Sequence, residues 1–145
     1  MYALVIREYR DADIDQILDV WMRASEIAHP FLTDEFLAEE NDNIRNIYMP
    51  KADTWVYEEG ERIVGFIALL GNEVGAIFVL PDMQGRGIGR ALMDLAREQH
   101  DTLELDVFKA NPIGRGFYQR YGFVQIDEHV HEESGQPSLR LRFGP

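Results

Sequence analysis

The chain has no cysteine. Disulfides, thiolate zinc sites and a cysteine nucleophile are excluded, and with them any route that parks an acyl group on a protein thiol. Long apolar runs are also missing. Ala76–Leu80 is typical of those present, strand-sized and far below the roughly 20 residues that span a bilayer, so no membrane segment is expected. Met1–Arg10 has neither a basic start nor an apolar stretch, so no secretory leader is expected, which points to the cytoplasm. Positive charge is scarce: 14 Lys and Arg stand against 26 Asp and Glu, a formal net charge of −12. Such a chain repels a phosphate backbone, which argues against nucleic acid as partner, and it favours a cationic one.

What is present reads as one folded unit. The chain has 145 residues, 46% of them hydrophobic, with eight Phe, six Tyr and two Trp. That is too aromatic for a disordered chain and long enough to bury roughly 70% of its unfolded surface. With no repeat or linker-like tract, a single domain over residues 1–145 is expected. Apolar periods near 2 and 3.6 alternate, the mark of an α/β (α+β) fold.

The expected order is β α α β β β α β α β β. A strand over Ala3–Tyr9 precedes a helix capped by Asp11 or Asp13, with the stripe Ile14, Ile17, Leu18, Trp21 and Met22. Pro30 ends it. A second helix runs from a Thr33 cap to about Tyr48. Thr54–Glu58 and Arg62–Leu70 form a hairpin turning at Glu59–Gly60. Val74–Leu80, apolar throughout, reads as a central strand buried on both faces. A helix then reaches about His100, and Thr102–Phe108 alternates strictly, with Leu103, Leu105 and Val107 opposite Glu104 and Asp106. Asn111–Pro112 reads as cap and first residue of a last helix ending at Gly122. Strands near Phe123–His129 and Leu139–Phe143 close the chain.

The most informative stretch is Val79-Leu80-Pro81-Asp82-Met83-Gln84-Gly85-Arg86-Gly87-Ile88-Gly89-Arg90. An apolar strand ends, glycines follow, and a helix begins. That geometry suits a plain turn or an anion site, because glycines let backbone approach a ligand while a helix N-terminus offers free N–H groups. Arg86 and Arg90 add positive charge in an otherwise acidic chain. No Gly-Lys-Ser/Thr follows, so a P-loop is excluded, and Arg90 or Leu92 stands where a dinucleotide fingerprint needs its third glycine.

The pattern Gln84-x-x-Gly87-x-Gly89 resembles the pyrophosphate loop of the GNAT superfamily of acetyl-CoA-dependent N-acetyltransferases. Asn111 followed by Phe117-Tyr118-Gln119-Arg120-Tyr121-Gly122-Phe123 resembles the family's second signature, and the element order matches along the whole chain. The resemblance implies a mixed central sheet splayed between strands 4 and 5 and flanked by about four helices. It implies acetyl-CoA as cosubstrate and no metal, with Ile77, Phe78 and Val79 pairing with pantetheine, Gln84, Gly85, Arg86, Gly87, Ile88, Gly89 and Arg90 around the pyrophosphate, and Asn111 and Tyr118 beside the cofactor. It further implies that acetyl passes directly to an amine in a ternary complex, that a fourth-strand N–H stabilises the oxyanion, and that Tyr118 protonates the departing thiolate. The expected acceptor is an amine-bearing small molecule or a protein lysine or N-terminus, and the expected state is a monomer or homodimer.

The general base is less plainly marked. Gly75 stands where the family often carries an acidic side chain, which leaves Glu73 as a substitute, with Glu104 and Asp106 as further carboxylates. His29, between the first two helices, is a second candidate for base or substrate contact. Trp21, Phe31 and Trp55 are candidates for an acceptor wall or the core. His129 and His131 share a strand face without a third metal ligand. The missing carboxylate keeps open an alternative from another class, a non-catalytic acyl-CoA-binding sensor.

Overall fold

The computed structural model describes residues 4–145; Ala3, the expected start of the first strand, lies outside them. The order is β1 (Leu4–Glu8), α1 (Ile14–Ala28), α2 (Asp34–Asn43), β2 (Asp53–Glu59), β3 (Arg62–Leu70), β4 (Glu73–Val79), α3 (Ile88–Gln99), β5 (Leu103–Phe108), α4 (Pro112–Tyr121), β6 (Val124–His131) and β7 (Gln136–Phe143). The mixed α/β architecture is the expected one.

The strands form one sheet in the order β1-β2-β3-β4-β5-β7-β6. β1 to β4 are an antiparallel meander, whose β2–β3 turn is made by Gly60 at φ 62°. β4 and β5 are parallel and share a single paired position, Glu73 opposite Glu104. β7 inserts between β5 and β6, antiparallel to both. Every interior residue of β3 is buried, so helices cover both faces there. On one face a Cβ at Gly65 would lie 3.2 Å from Ile88 of α3. On the other, Phe78 of β4 meets His29 at the end of α1. The core between these layers holds Ile17, Val20, Phe66, Ile67, Leu92, Met93 and Leu105, each burial worth roughly 1.5–3 kcal/mol.

Two expectations need correction. β4 is not buried on both faces: Gly75 is exposed and Ala76–Phe78 are half-buried, because β5 leaves it after one pair. The second helix is α-helical only to Asn43, and Ile44–Tyr48 winds as a π turn closed by Met49 N–H donating to Ile44 C=O. The wider turn rotates Ile47 and Tyr48 outward and brings Met49 into the core. The Thr33 cap is present, its hydroxyl accepting from Phe36 N–H at 3.1 Å.

Asp13 precedes α1, but its carboxylate serves the chain before the helix. It accepts from both terminal nitrogens of Arg7 at 2.8 and 3.0 Å and from Arg10 N–H at 2.8 Å, while Arg7 also reaches Glu58. The Arg7 guanidinium holds the Asp13 carboxyl below its ordinary 3.8. A depressed carboxylate contributes stability that is present above its unfolded pKa and is lost as the pH falls through its folded one. Asp13→Asn is therefore expected to cost about 1–3 kcal/mol at pH 7, and the gap from wild type should close below pH 3.8. Urea unfolding at both pH values checks this.

Candidate functional site

Beyond Glu73, the backbone groups of β4 that face β5 have no strand partner. The gap is a cleft of about 770 Å³, lined by β4 from Val74 to Val79, by Asp106, Val107 and Phe108 of β5, by the glycine segment, by α4, and by α1 and α2 on the near side.

The glycine segment closes one end. Gly85 and Gly87 have φ of 79° and 83°, and a Cβ on either would meet nothing within 4 Å. Glycine is required there by backbone conformation, and the space above is open to a ligand. Gln84 Nε2 donates to Val79 C=O at 3.1 Å, tying the loop to the end of β4. Gly87 is the N-cap of α3, so the first amides of that helix are free for an anion. The Ile88 side chain is buried, which leaves its backbone as the part that meets a ligand. Gly89 has a packing reason: a Cβ would lie 3.2 Å from Phe117. Arg90 lines the cleft, its guanidinium 5.6 Å from the Tyr121 ring, whereas Arg86 is exposed and does not line it.

Asn111 and Tyr118 stand across from β4. Asn111 caps α4, its Oδ1 accepting from Gly114 N–H at 2.9 Å, and it is buried against His29. Tyr118 lines the cleft, and burial pushes its phenol above the ordinary tyrosine value, so it holds its proton at neutral pH.

The structure does not bring all candidates together. Glu73 is outside the cleft lining and is held by Arg140 of β7, with Nη1 2.7 Å from Oε2 and Nη2 on Oε1. A carboxylate clamped by a guanidinium is a poor base. Glu104 is engaged by Arg142 and Arg140, which hold its carboxyl below the ordinary value. His29 does reach the cleft, but its Nε2 lies 3.2 Å from Asn111 Nδ2, and burial lowers its pKa to about 4. Trp21 lines the cleft, while Phe31 packs on His29 and Phe108, and Trp55 packs against the core. His129 lies 3.9 Å from Asp106, and His131 pairs with Glu133 at 2.9 Å and Ser134 at 2.7 Å. Among the described residues no cluster of three His, Asp or Glu forms a metal site.

Other contributors were not named from sequence. Phe108 was legible, an aromatic on the strand face otherwise carrying Glu104 and Asp106. Ser25 was too, since it continues the α1 stripe where an apolar residue is expected. Phe36, Glu40 and Tyr48 reach the cleft only through the packing of α2 and the turn after it, and His131, considered from sequence only as a metal ligand, reaches it through β6.

A family model described as an acetyltransferase (GNAT) domain matches residues 50–125. The chain belongs to the GNAT family of acetyltransferases. Peptidyl-lysine N-acetyltransferase YiaC of Escherichia coli is 32% identical over 135 residues, 92% of each chain. Peptidyl-lysine N-acetyltransferase YjaB of Escherichia coli is 32% identical over 136 residues, 93% of this chain and 92% of that one. The solution structure of apo YjaB superposes with a TM-score of 0.87 and 31% identity, covering 99% of both chains. PaiA N-acetyltransferase of Thermoplasma acidophilum, solved in complex with coenzyme A, shares the fold at a TM-score of 0.75 and 15% identity over 95% of this chain and 98% of that one. Full-length similarity to acetyltransferases favours catalysis over the non-catalytic alternative.

Burial of His29 predicts a pH dependence. Between 6.5 and about 4 the unfolded chain takes up a proton on this ring that the folded chain does not, so stability falls as the pH drops through that window. Urea midpoints from pH 7 to 4 should show the decline, and His29→Phe should flatten it.

Proposed function

We propose that this GNAT acetyltransferase carries acetyl from acetyl-CoA to the ε-amine of a lysine in a peptide or protein, directly and in a ternary complex. The observation that carries the reading is one cleft with unpaired β4 backbone along its wall, an anion-ready glycine loop where β4 ends, and Glu40 and Asp106 in its lining.

The residues fit an elongated donor with a pyrophosphate and amide groups. The free β4 backbone at Ile77, Phe78 and Val79 would pair with pantetheine amides. The amides from Gln84 to Arg90 would hold the pyrophosphate, with Arg86 and Arg90 adding charge and Asn111 bordering the cofactor. Acetyl-CoA supplies the activated thioester. A β4 N–H donates to the developing oxyanion, and Tyr118, protonated at neutral pH, gives its proton to the departing sulfur. With Glu73 on Arg140 and Nε2 of His29 facing Asn111, we read the acceptor ammonium as losing its proton to water at the mouth of the cleft.

A lysine acceptor draws support from the names of the two relatives and from charge. Glu40 lines the cleft, and Glu40 and Glu133 both lie near Tyr48, whose phenol is raised by burial and then by these carboxylates. A chain of −12 also favours a cationic acceptor. The reading includes a cytoplasmic single-domain protein working as monomer or homodimer.

CoA and acetyl-CoA at a hundredfold excess over Kd should stabilise the fold by about 2.7 kcal/mol. Gly87→Glu, which puts a carboxylate into the anion cradle, should remove the effect; a melting curve unchanged by millimolar CoA overturns the donor assignment. Tyr118→Phe should fold and bind CoA while kcat falls by about 10² to 10⁴ and KM for acetyl-CoA stays nearly constant. Thiol release from acetyl-CoA with lysine peptides measures this; wild-type kcat in a step limited by chemistry would reduce Tyr118 to packing.

A further inference from the structure

Four buried polar side chains interrupt the apolar lining of the cleft: Ser25 is 0% exposed, Ser138 2%, Asn111 7% and His29 8%, and the Ser138 hydroxyl donates to Val107 C=O at 3.3 Å. Buried polar atoms are normally paired, so their partners identify their roles. Asn111 has an assigned orientation: its Oδ1 accepts from Gly114 N–H, so the atom 3.2 Å from His29 Nε2 is the amide nitrogen. An amide nitrogen has only protons to offer. Nε2 must therefore be the bare, accepting nitrogen, and a neutral ring then carries its proton on Nδ1.

The ring is wedged at the parting of the sheet. Its centroid lies 6.4 Å from that of Phe78 on β4, 5.0 Å from Phe108 on β5 and 5.8 Å from Phe31. These aromatic neighbours offer Nδ1–H no acceptor, and among the described residues it has no hydrogen-bond partner. Ser25, one turn earlier on α1, leaves its Oγ without a partner as well. The ionisable side chains along the cleft, Glu40 on α2, Arg90 on α3, Asp106 on β5, Tyr118 and Arg120 on α4 and His131 on β6, form no hydrogen bond with the ring. Burial is the cause of its lowered pKa.

We propose that Asn111 is a positioning residue that holds His29 as a neutral imidazole protonated on Nδ1, and that this N–H donates to a carbonyl oxygen of the acyl-pantetheine lying between β4 and β5. His29 is then a binding donor for the acyl carrier and not the base of the reaction. The donor half rests on the acetyl-CoA reading above; the tautomer half does not. Both pantetheine amides and the thioester offer such an oxygen, and the two sources are separable, because CoA keeps the amides and lacks the acetyl group.

Long-range ¹H–¹⁵N spectra of the full chain at pH 7, with histidine labelled, read the tautomer directly. The expected result is a protonated Nδ1 and a bare Nε2 on His29. Asn111→Asp keeps the helix cap and replaces the donor by an acceptor, so it should move the proton to Nε2 and raise the titration midpoint. A shift of the Nδ1–H signal on adding CoA assigns a pantetheine amide; a shift with acetyl-CoA alone assigns the thioester. His29→Phe keeps an aromatic ring and should weaken acetyl-CoA binding by about 2- to 10-fold, the worth of one neutral hydrogen bond. A wild-type ring protonated on Nε2, or on both nitrogens, overturns the proposal. An Nδ1–H signal unmoved by CoA and acetyl-CoA that calorimetry shows to be bound overturns the donor role. Calorimetry that detects no binding of either overturns the donor role together with the acetyl-CoA reading and leaves the tautomer result standing.

Discussion

The separation of β4 from β5 governs the rest of the molecule. The two strands share one pair, Glu73 with Glu104, and carboxylates side by side on adjacent strands repel. Two arginines of β7 make the junction tenable. Arg140, opposite Asp106 on β5, reaches across to Glu73, and Arg142 holds Glu104 from the next position on the same face. This end of the sheet is held by charge, while beyond it the aromatic edges of Phe78 and Phe108 close on His29 instead of on each other. A sheet paired to its end would satisfy its own backbone; this one leaves N–H and C=O groups that a ligand with amides can meet.

Few charged side chains line the cleft. Arg90 lies beside the free amides at the start of α3, where the helix dipole also favours an anion. Glu40, with Glu133 near Tyr48, lies toward α2 and β6. An acidic chain thus keeps Arg90 and the free helix amides together beside the glycine segment, and carries Glu40 in the part of the lining that α2 supplies. Between them the lining is mostly aromatic and aliphatic, so the few polar groups there act at low dielectric, where each hydrogen bond counts for more.

Much of this was legible because it is local. The glycine segment, the Asn111–Pro112 cap and the Gly122 stop are fixed by neighbours within a few residues, and φ of 83° at Gly87 and 121° at Gly122 agree with glycine there. The element order followed from apolar periods for the same reason. The pairing of Glu73 with Arg140 was not legible because the two are 67 positions apart and meet only when β7 enters the sheet between β5 and β6. The π turn at Ile44–Tyr48 was hidden because an α-helical stripe and a π-distorted one differ by a single residue of phase.

His29 and Asn111 mark the boundary most clearly. By itself the sequence determined that Asn111 caps a helix, that a histidine ends α1, and that this chain carries the two signatures of its family. It could not determine that residues 82 positions apart share a hydrogen bond, or which nitrogen of the ring that bond leaves bare. Those are properties of two helices brought together over a parted sheet. Burial and partner choice arise from long-range packing, and they, rather than residue type, decide whether an imidazole is a base or a donor.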